Sequence, residues 1–298
     1  MASSLLVTGL SGFVGRHVQA QLPSTWQLLQ TPQLNVLDSA SLNDALVQGC
    51  PDAVIHLASQ TFVPESFRDP QATLQVNLLG TLNVLQALKR HGFNGSFLYV
   101  SSGDVYGRVD DQALPISELQ LPQPRNPYAV SKVAAELLCQ QWSYAEPWRI
   151  MVARPFNHVG PGQRTDFVVA DMARQLVRVK KGLQAPRLEV GDVEVTRDFL
   201  DVRDVVSAYF SLLESGTGGE IYNVCSGRER CVRDLIEQMV QLAGVEVDLI
   251  QNPVRFRLAE QRRVVGCAEK LLRDTAWAPV IPIKQTLQDV LDEFQAQL

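Results

Sequence analysis

Short apolar runs alternate with amphipathic stretches over the first 155 residues of this 298-residue chain. Each run is about five residues long, as buried strands are, and the stretches between the runs are long enough for helices. This alternation predicts a doubly wound parallel sheet with helices on both faces, a Rossmann-type α/β fold. The predicted strands are Leu5–Thr8, Trp26–Gln30, Ala53–Leu57, Ser96–Val100 and Arg149–Ala153, and the predicted helices start at Gly12 and cover Ser39–Gln48, Pro70–Lys89 and Tyr128–Tyr144.

The pattern loosens after residue 155, where Gly160-Pro-Gly162 precedes a predicted helix over Phe167–Lys181. We therefore expect a dinucleotide-binding domain over residues 1–155 and a smaller α/β substrate lobe made mainly of residues 156–298. Segments around 196–224 are expected to return to the first domain, because Ile221–Val224 reads as another buried strand.

Composition limits the possible partners. The chain has 27 basic and 32 acidic residues and no run of Lys or Arg, so nucleic acid is not an expected partner. It has no apolar stretch of membrane-spanning length and no signal peptide pattern, which predicts a cytoplasmic protein without a membrane partner. Its five scattered cysteines contain no Cys-x-x-Cys pair, so reduced thiols are expected and no metal site is predicted.

A glycine-spaced turn follows the first predicted strand, with Gly9, Gly12 and Gly15 spaced by Leu10-Ser11 and Phe13-Val14. Such a turn lets a ligand approach the backbone closely, and the amide groups of the helix that follows point toward that ligand. The helix dipole and these donors suit a pyrophosphate. Between a strand and a helix the pattern predicts a dinucleotide site, with Gly9, Ser11, Gly12, Phe13, Val14 and Gly15 as cofactor-binding residues.

Tyr128 and Lys132 stand four residues apart in a predicted helix, so their side chains share one face. An ammonium favours an ionised phenol, so Lys132 is expected to lower the pKa of Tyr128 from about 10 toward neutrality. Ser102 follows the predicted strand Ser96–Val100, at the sheet edge where ligands of open α/β sheets bind. Reduction of a carbonyl needs a proton donor and a donor that holds the oxygen, and Tyr128 and Ser102 suit these two tasks.

Further phrases identify the chain as similar to the extended short-chain dehydrogenase/reductases: His56-Leu-Ala-Ser59, Asn77-Leu-Leu-Gly80, Ser101-Ser-Gly-Asp-Val-Tyr-Gly107 and Tyr128-x-x-x-Lys132. The resemblance implies that Leu57, Ala58 and Ser59 line the cofactor's diphosphate and ribose, that Asn77 lies near the nicotinamide, and that Lys132 also binds the nicotinamide ribose. It further implies a homodimer paired through the helices that bear Asn77 and Tyr128.

The choice of cofactor stays open at this point. The second predicted strand ends at Gln30-Thr31, with neither the acid that holds a free ribose nor an arginine for a 2′-phosphate. At the adenine the family usually has Asp followed by an aliphatic residue, and Asn35-Val36 occupies that place. Family habit favours NADP(H), and NAD(H) remains an alternative.

The resemblance also implies a GDP-sugar substrate. Arg197 and the sequence Arg257-Leu-Ala-Glu260 resemble nucleotide-binding signatures of the family, and Asn157-His158 after the strand resembles its GDP-mannose branch. Gly103, Asp104 and Ser102 would complete the substrate site, and His158 is expected to be structural or part of the cofactor wall. This branch reduces the C4 ketone of a GDP-linked 4-keto-6-deoxy sugar that supplies surface polysaccharide.

Three alternatives remain. Asp104 could act as the proton-abstracting base of a 4,6-dehydratase, although the related enzymes have the longer Glu there, or it could simply cap a loop. A reductase of opposite stereochemistry would give the 4-epimer, a 6-deoxy-talose. A non-enzymatic dinucleotide-sensing module would usually lack the proton-transfer pair that this chain has.

Overall fold

A parallel sheet runs through the computed structural model of this chain, which describes residues 2–31, 34–47, 49–252 and 261–297. Within those residues the sheet has six strands: β1 (Ser3–Thr8), β2 (Trp26–Leu28), β3 (Ala53–His56), β4 (Ser96–Val100), β5 (Arg149–Pro155) and β9 (Ile221–Val224). Their order is β2-β1-β3-β4-β5-β9, and neighbouring strands are parallel. The direction of winding changes between β1 and β3, which opens a crevice at their carboxyl ends. The predicted doubly wound α/β fold is confirmed.

Helices cover both faces of this sheet, because alternate side chains of each strand point to opposite sides. The helices are α1 (Phe13–Ala20), α2 (Ser39–Leu46), α3 (Val63–Arg68), α4 (Pro70–Leu74), α5 (Gly80–Arg90), α6 (Pro127–Ala145), α7 (Val168–Lys180), α8 (Val202–Ser215), α9 (Val232–Ala243), α10 (Glu269–Thr275) and α11 (Ile283–Gln297). Leu5 and Val7 join one apolar core with α1, α8 and α10, whereas Leu6 joins a second core with α2, α5 and α6.

A second lobe is built from two smaller sheets and three helices. Strands β10 (Glu229–Cys231), β8 (Thr196–Asp201) and β6 (Asn157–Val159) lie side by side in that order, and β11 (Asp248–Gln251) pairs with β7 (Arg187–Val190). Their apolar side chains form a core with α7, α9 and α11. Between β8 and β10 the chain returns to the main sheet, where it forms α8 and β9. The second lobe is therefore discontinuous in sequence.

The single helix predicted over Pro70–Lys89 is interrupted in the structure. After α4 the chain makes a π-helical turn over Gln75–Leu79, and α5 starts at Gly80. The side chain of Asn77 is buried in this turn. A β-carbon on Gly80 would lie 2.7 Å from the Val36 side chain, so a glycine allows the helix to pass close to the segment after β2. Helical periodicity in the sequence does not reveal a π-helical turn, because the contacts that its residues make with distant segments are not visible in the local sequence.

In the described parts of the chain, no helix combines the length and apolar character needed to cross a membrane.

Candidate active site

The passage from β1 into α1 requires glycine at two positions, Gly9 in the turn and Gly15 in the first turn of the helix. Gly9 has φ +75°, and a β-carbon there would lie 2.9 Å from the backbone nitrogen of Ala58. A β-carbon on Gly15 would lie 2.4 Å from the carbonyl oxygen of Gly9. Gly12 precedes α1, and its Cβ-free backbone leaves the first amides of the helix without a side-chain cap. A close backbone approach and uncapped amide donors are what a pyrophosphate requires, so these residues fit a dinucleotide cofactor.

The remaining residues of the turn have different surroundings. Ser11 is exposed, and Val14 packs against the core of the main sheet. Phe13 stacks on His158, with ring centroids 6.1 Å apart and planes inclined by 4°. His158 Nδ1 lies 3.0 Å from the carbonyl oxygen of Phe156, so that nitrogen carries the proton. Burial lowers the pKa of His158, and this neutral ring forms a wall beside the turn.

A buried chain of hydrogen bonds fixes the end of β3 beside the turn. Thr8 Oγ1 accepts from the amide of Ala58 at 3.1 Å and donates to His56 Nδ1 at 2.7 Å. The Thr81 hydroxyl donates its proton to the carbonyl oxygen of Asn77, so Thr81 Oγ1 can only accept from His56. His56 Nε2 therefore donates to Thr81 Oγ1 at 3.0 Å. Burial, and secondarily the charge of Lys132, lowers the pKa of His56 to about 3, so the imidazole is neutral. Sequence reasoning assigned no role to His56 or Thr81.

The expected cofactor-binding residues after β3 lie at the edge of this network. Leu57, Ala58 and Ser59 are half-buried, and Ser59 Oγ donates to the carbonyl oxygen of Leu57 at 3.4 Å. Asn77 is buried and acts as a cross-link. Its Oδ1 accepts from Gln60 N at 2.7 Å, and its Nδ2 donates to Gln60 O at 3.0 Å and to Ser131 Oγ at 2.8 Å. Asn77 thus ties the loop after β3 to the helix that carries Tyr128 and Lys132.

On the expected adenine side, Asn35 is exposed and Val36 is buried. Asn35 Oδ1 accepts from the amide of Leu37 at 3.0 Å, and its second lone pair can still accept from an amino group. Val36 packs its side chain into the core with α2 and α5. Only its backbone is therefore available to a ligand on this side of the site.

Helix α6 presents Tyr128 in its first turn for a reason that is visible in the sequence. Asn126 caps the helix by accepting from the amide of Ala129 at 2.7 Å, and Pro127 occupies the first helical position, where no amide donor is needed. Lys132 follows one turn later, and its Nζ donates to the carbonyl oxygen of Val100 at 2.8 Å. The ammonium lies 5.2 Å from the Tyr99 ring centroid and 5.9 Å from that of Tyr128.

The structure brings Ser102 to the phenol of Tyr128. Ser102 is half-buried after β4, where its Oγ accepts from the amide of Asp104 at 3.1 Å and begins a short 3₁₀ turn over Gly103–Tyr106. Gly103 packs closely on Phe156, because a β-carbon there would lie 3.2 Å from that ring. Asp104 is exposed at the same loop.

The expected pKa shift of Tyr128 is wrong in direction. Burial raises the pKa of Tyr128 above its usual value, the Asp104 carboxylate raises it further, and a hydrogen bond with Ser102 lowers it. Burial also lowers the pKa of Lys132 to about 7. Residue spacing predicts that the two groups are neighbours, but both titrate in a site removed from water, where desolvation of each charged form outweighs their mutual attraction.

In the second lobe, two arginines occupy paired positions on neighbouring strands. Arg197 on β8 lies opposite Arg230 on β10 in the antiparallel pairing. Arg197 Nη1 donates to the carbonyl oxygen of Thr196 at 2.6 Å, and Arg230 Nη1 donates to Ser226 Oγ at 2.9 Å. Paired positions place both side chains on the same face of the sheet, so the two arginines are candidates for binding an anionic ligand. Sequence reasoning missed Arg230, since strand register cannot be read from the sequence.

The other expected substrate residues have different outcomes. Asn157 is exposed at the start of β6, beside β8. Arg257 and Glu260 lie outside the described residues. No group of three or more His, Cys, Asp or Glu side chains that could hold a metal occurs in the described ranges.

Comparisons with known proteins place this geometry in context. The sequence profile of the GDP-mannose 4,6-dehydratase family matches residues 26–290. The chain is 58% identical to the GDP-6-deoxy-D-mannose reductase of Pseudomonas aeruginosa, over 100% of this chain and 99% of that protein. It is 31% identical to a dTDP-glucose 4,6-dehydratase of Streptomyces antibioticus, over 89% of this chain and 85% of that protein. A solved structure of RMD from Pseudomonas aeruginosa complexed with NADPH covers 100% of both chains with a TM-score of 0.96 and 57% identity.

Proposed function

The chain belongs to the GDP-mannose 4,6-dehydratase family, and we propose that it reduces the C4 ketone of GDP-4-dehydro-6-deoxy-D-mannose with NADPH, forming GDP-6-deoxy-D-mannose (GDP-D-rhamnose). The observation that carries the proposal is full-length similarity, at 58% identity, to a GDP-6-deoxy-D-mannose reductase. The meeting of Ser102, Tyr128 and Lys132 beside the glycine turn supports it, because a dinucleotide-sensing module has no use for a proton donor.

NADP(H) is the proposed cofactor, since the similar solved structure is complexed with NADPH. Gly9, Gly12 and Gly15 would receive its diphosphate, together with the segment Leu57–Ser59, and Lys132 would bind the ribose next to the nicotinamide. When bound, the reduced nicotinamide supplies the hydride. The end of β2 carries Gln30 and Thr31, and neither side chain rejects a 2′-phosphate by charge.

Tyr128 is the proposed proton donor. Its raised pKa keeps the phenol protonated near neutral pH, so the acid is ready when negative charge develops on the ketone oxygen. Ser102 donates a hydrogen bond to the same oxygen and holds it near the phenol. The Lys132 ammonium, within 5.9 Å of the Tyr128 ring centroid, stabilises the phenolate that remains after proton transfer.

Arg197 and Arg230, on paired strand positions, are proposed to bind the substrate's diphosphate, because planar guanidinium groups match phosphate oxygens. Asn157 is proposed to contact the sugar near its phosphate, and Asp104 to accept hydrogen bonds from sugar hydroxyls. Arg257 and Glu260 are proposed nucleotide contacts on the family resemblance.

The dehydratase alternative rests on the family profile, which is named for that reaction. A dehydratase would need a base at Asp104, whose side chain is one carbon shorter than the usual Glu, and a misplacement on the order of 1 Å can cost about a hundredfold in rate. The 58% identity to a reductase over the full chain favours reduction.

The proposal is tested by supplying the purified protein with GDP-4-dehydro-6-deoxy-D-mannose and NADPH. We expect loss of nicotinamide absorbance with one NADPH consumed per sugar, and the NMR spectrum of the product should show the 6-deoxy-mannose configuration. GDP-mannose without added reductant and NADH in place of NADPH are the controls. Water elimination from GDP-mannose would support the dehydratase instead, and a product with the talose configuration would support the 4-epimer.

We also propose a homodimer, because α6 carries an exposed apolar stripe. Val130, Leu137 and Tyr144 are spaced by seven residues and therefore share one face of the helix, and Leu79 is exposed on the adjacent π-helical turn. Their burial against a second copy would remove this apolar surface from water.

Leu137→Lys is expected to dissociate this dimer, since it places a charge in the middle of the stripe. Sedimentation equilibrium should give twice the 33.0 kDa chain mass for the natural protein and the single-chain mass for the variant. Leu272→Lys on α10 is the matched control, because Leu272 is 50% exposed and Leu137 is 61% exposed. Equal masses for Leu137→Lys and the natural chain would contradict this interface.

The location and the use of the product are inferred from the chemistry. Five free cysteines suit the reducing cytoplasm, where we propose that the enzyme works. The product is an activated deoxysugar, and its proposed destination is a surface polysaccharide such as lipopolysaccharide.

A further inference from the structure

A buried carboxylate on α6 contacts two segments of the candidate active site. Glu136 Oε1 accepts from Ser101 Oγ and from Arg154 Nε at 3.0 Å, and Oε2 accepts from Arg154 Nη2 at 2.6 Å. Both charged side chains are almost fully buried, and the Arg154 guanidinium also lies 4.8 Å from the Tyr106 ring centroid. These contacts join α6, the end of β4 and the end of β5 in one charged cluster.

The position of this cluster relates it to the proposed chemistry. Glu136 lies one helical turn after Lys132, and Ser101 directly precedes Ser102. Lys132 Nζ donates to the carbonyl oxygen of Val100, so Lys132 and Glu136 bind consecutive residues at the end of β4. Two bonds one turn apart on α6 prevent the end of β4 from sliding along the helix. They therefore set the distance between Ser102 and the phenol of Tyr128.

We propose that Glu136 is a positioning residue, which fixes the end of β4 so that Ser102 stays beside Tyr128, and which places a carboxylate one helical turn from the Lys132 ammonium. This inference rests on the proposed function, because it assigns Glu136 a part in the same reaction. Glu136 acts on the reaction through Ser101 and Lys132.

The charges around Lys132 support the second part of the proposal. His56 on β3 and Tyr99 on β4 face the ammonium, and Cys139 follows on α6. These three groups are neutral near pH 7, because burial lowers the pKa of His56 to about 3 and raises the pKa of Tyr99 and of Cys139.

Three charged groups lie on the elements around Lys132: the carboxylates of Asp104 and Glu136 and the Arg154 guanidinium. The Asp104 carboxylate, on the loop after β4, raises the pKa of Tyr128. The Arg154 guanidinium on β5 is paired with Glu136. Glu136 is the anion that offsets the burial of Lys132 within the part of the chain that the structure describes.

Glu136→Gln tests the effect on Lys132. Without the carboxylate the pKa of Lys132 should fall below its value of about 7, by about one unit, since Glu136 raises that pKa from one helical turn away and a nearby opposite charge shifts a pKa by about 1–3 units. A protonated Lys132 is required, so kcat/KM is lost as the pH rises through this pKa. The decline of kcat/KM at high pH should therefore move about one pH unit lower in the variant.

A second measurement on the cofactor-free protein separates this inference from the proposed function. The NMR chemical shifts of the Lys132 side chain, followed across pH in lysine-labelled protein, report the fraction of neutral amine. The midpoint should fall by about one unit in Glu136→Gln. It should stay unchanged in Glu146→Gln, which removes another ion-paired glutamate at the end of the same helix. An unmoved midpoint in folded Glu136→Gln would overturn the electrostatic part, whatever reaction the enzyme catalyses.

Two further variants keep the test decisive. If Glu136→Gln does not fold, the double variant Glu136→Met/Arg154→Met removes the whole buried pair, a replacement that many cores tolerate, and the midpoint should still fall. Ser101→Ala keeps the charge but releases Ser102. It should lower kcat by about tenfold to a hundredfold and leave the Lys132 midpoint in place. A Ser101→Ala enzyme with the natural kcat would refute the positioning of Ser102.

Discussion

Tyr128→Phe is expected to lower turnover by about 10²- to 10⁴-fold, the range that general acid catalysis contributes. The phenol is the proposed donor of the proton that the ketone oxygen receives, and its raised pKa keeps that proton in place near pH 7. The substitution leaves the ring and its packing intact. NADPH affinity, measured by fluorescence titration, should change by less than about tenfold, because one hydrogen bond at most is lost.

Tyr144→Phe is the matched control for this experiment. Tyr144 lies on the same helix, is largely exposed, and its hydroxyl accepts a hydrogen bond from Gln140 at 3.0 Å. Tyr144→Phe also removes one hydroxyl from this helix, and it should leave kcat unchanged. If Tyr128→Phe retained kcat within about threefold, the proton would have to come from another group, and the assigned role of Tyr128 would be abandoned.

Gly15→Ala is expected to damage both the fold and the cofactor site. The new methyl would lie 2.4 Å from the carbonyl oxygen of Gly9 and 2.5 Å from that of Leu10, and backbone atoms in a tight turn have little room to move. Overpacking of this kind costs about 1–3 kcal/mol in unfolding free energy. The clash should displace the glycine turn from the geometry that receives the diphosphate. NADPH affinity should therefore fall by about tenfold to a hundredfold.

Thermal unfolding and NADPH titration measure these two effects. Gln19→Ala is the control, since Gln19 is exposed on the same helix and its replacement adds no clash. Natural NADPH affinity in Gly15→Ala would mean that the turn does not receive the diphosphate.

Much of the fold could be predicted because it depends on local patterns. Apolar runs of strand length, Asn126-Pro127 before α6 and the glycines of the first turn each act within a few residues of their position. The interruption of the helix at Asn77 was missed, since the contacts of that side chain with Gln60 and Ser131 exist only in the folded chain. The same holds for Arg230, whose neighbour Arg197 is set by strand register.

The sequence alone determined that this chain builds a doubly wound sheet, that glycines shape its first turn, and that Ser102, Tyr128 and Lys132 meet at the sheet's carboxyl edge. Steric limits on the backbone and side-chain periodicity act locally, so they can be read from residue order. Only the tertiary structure decided how these groups titrate and what holds them. The pKa of Tyr128 rises and that of Lys132 falls because each is buried, and Glu136 reaches Ser101 and Arg154 across three elements. Desolvation and long-range contact depend on the packed molecule, because water is excluded only once the whole chain has folded.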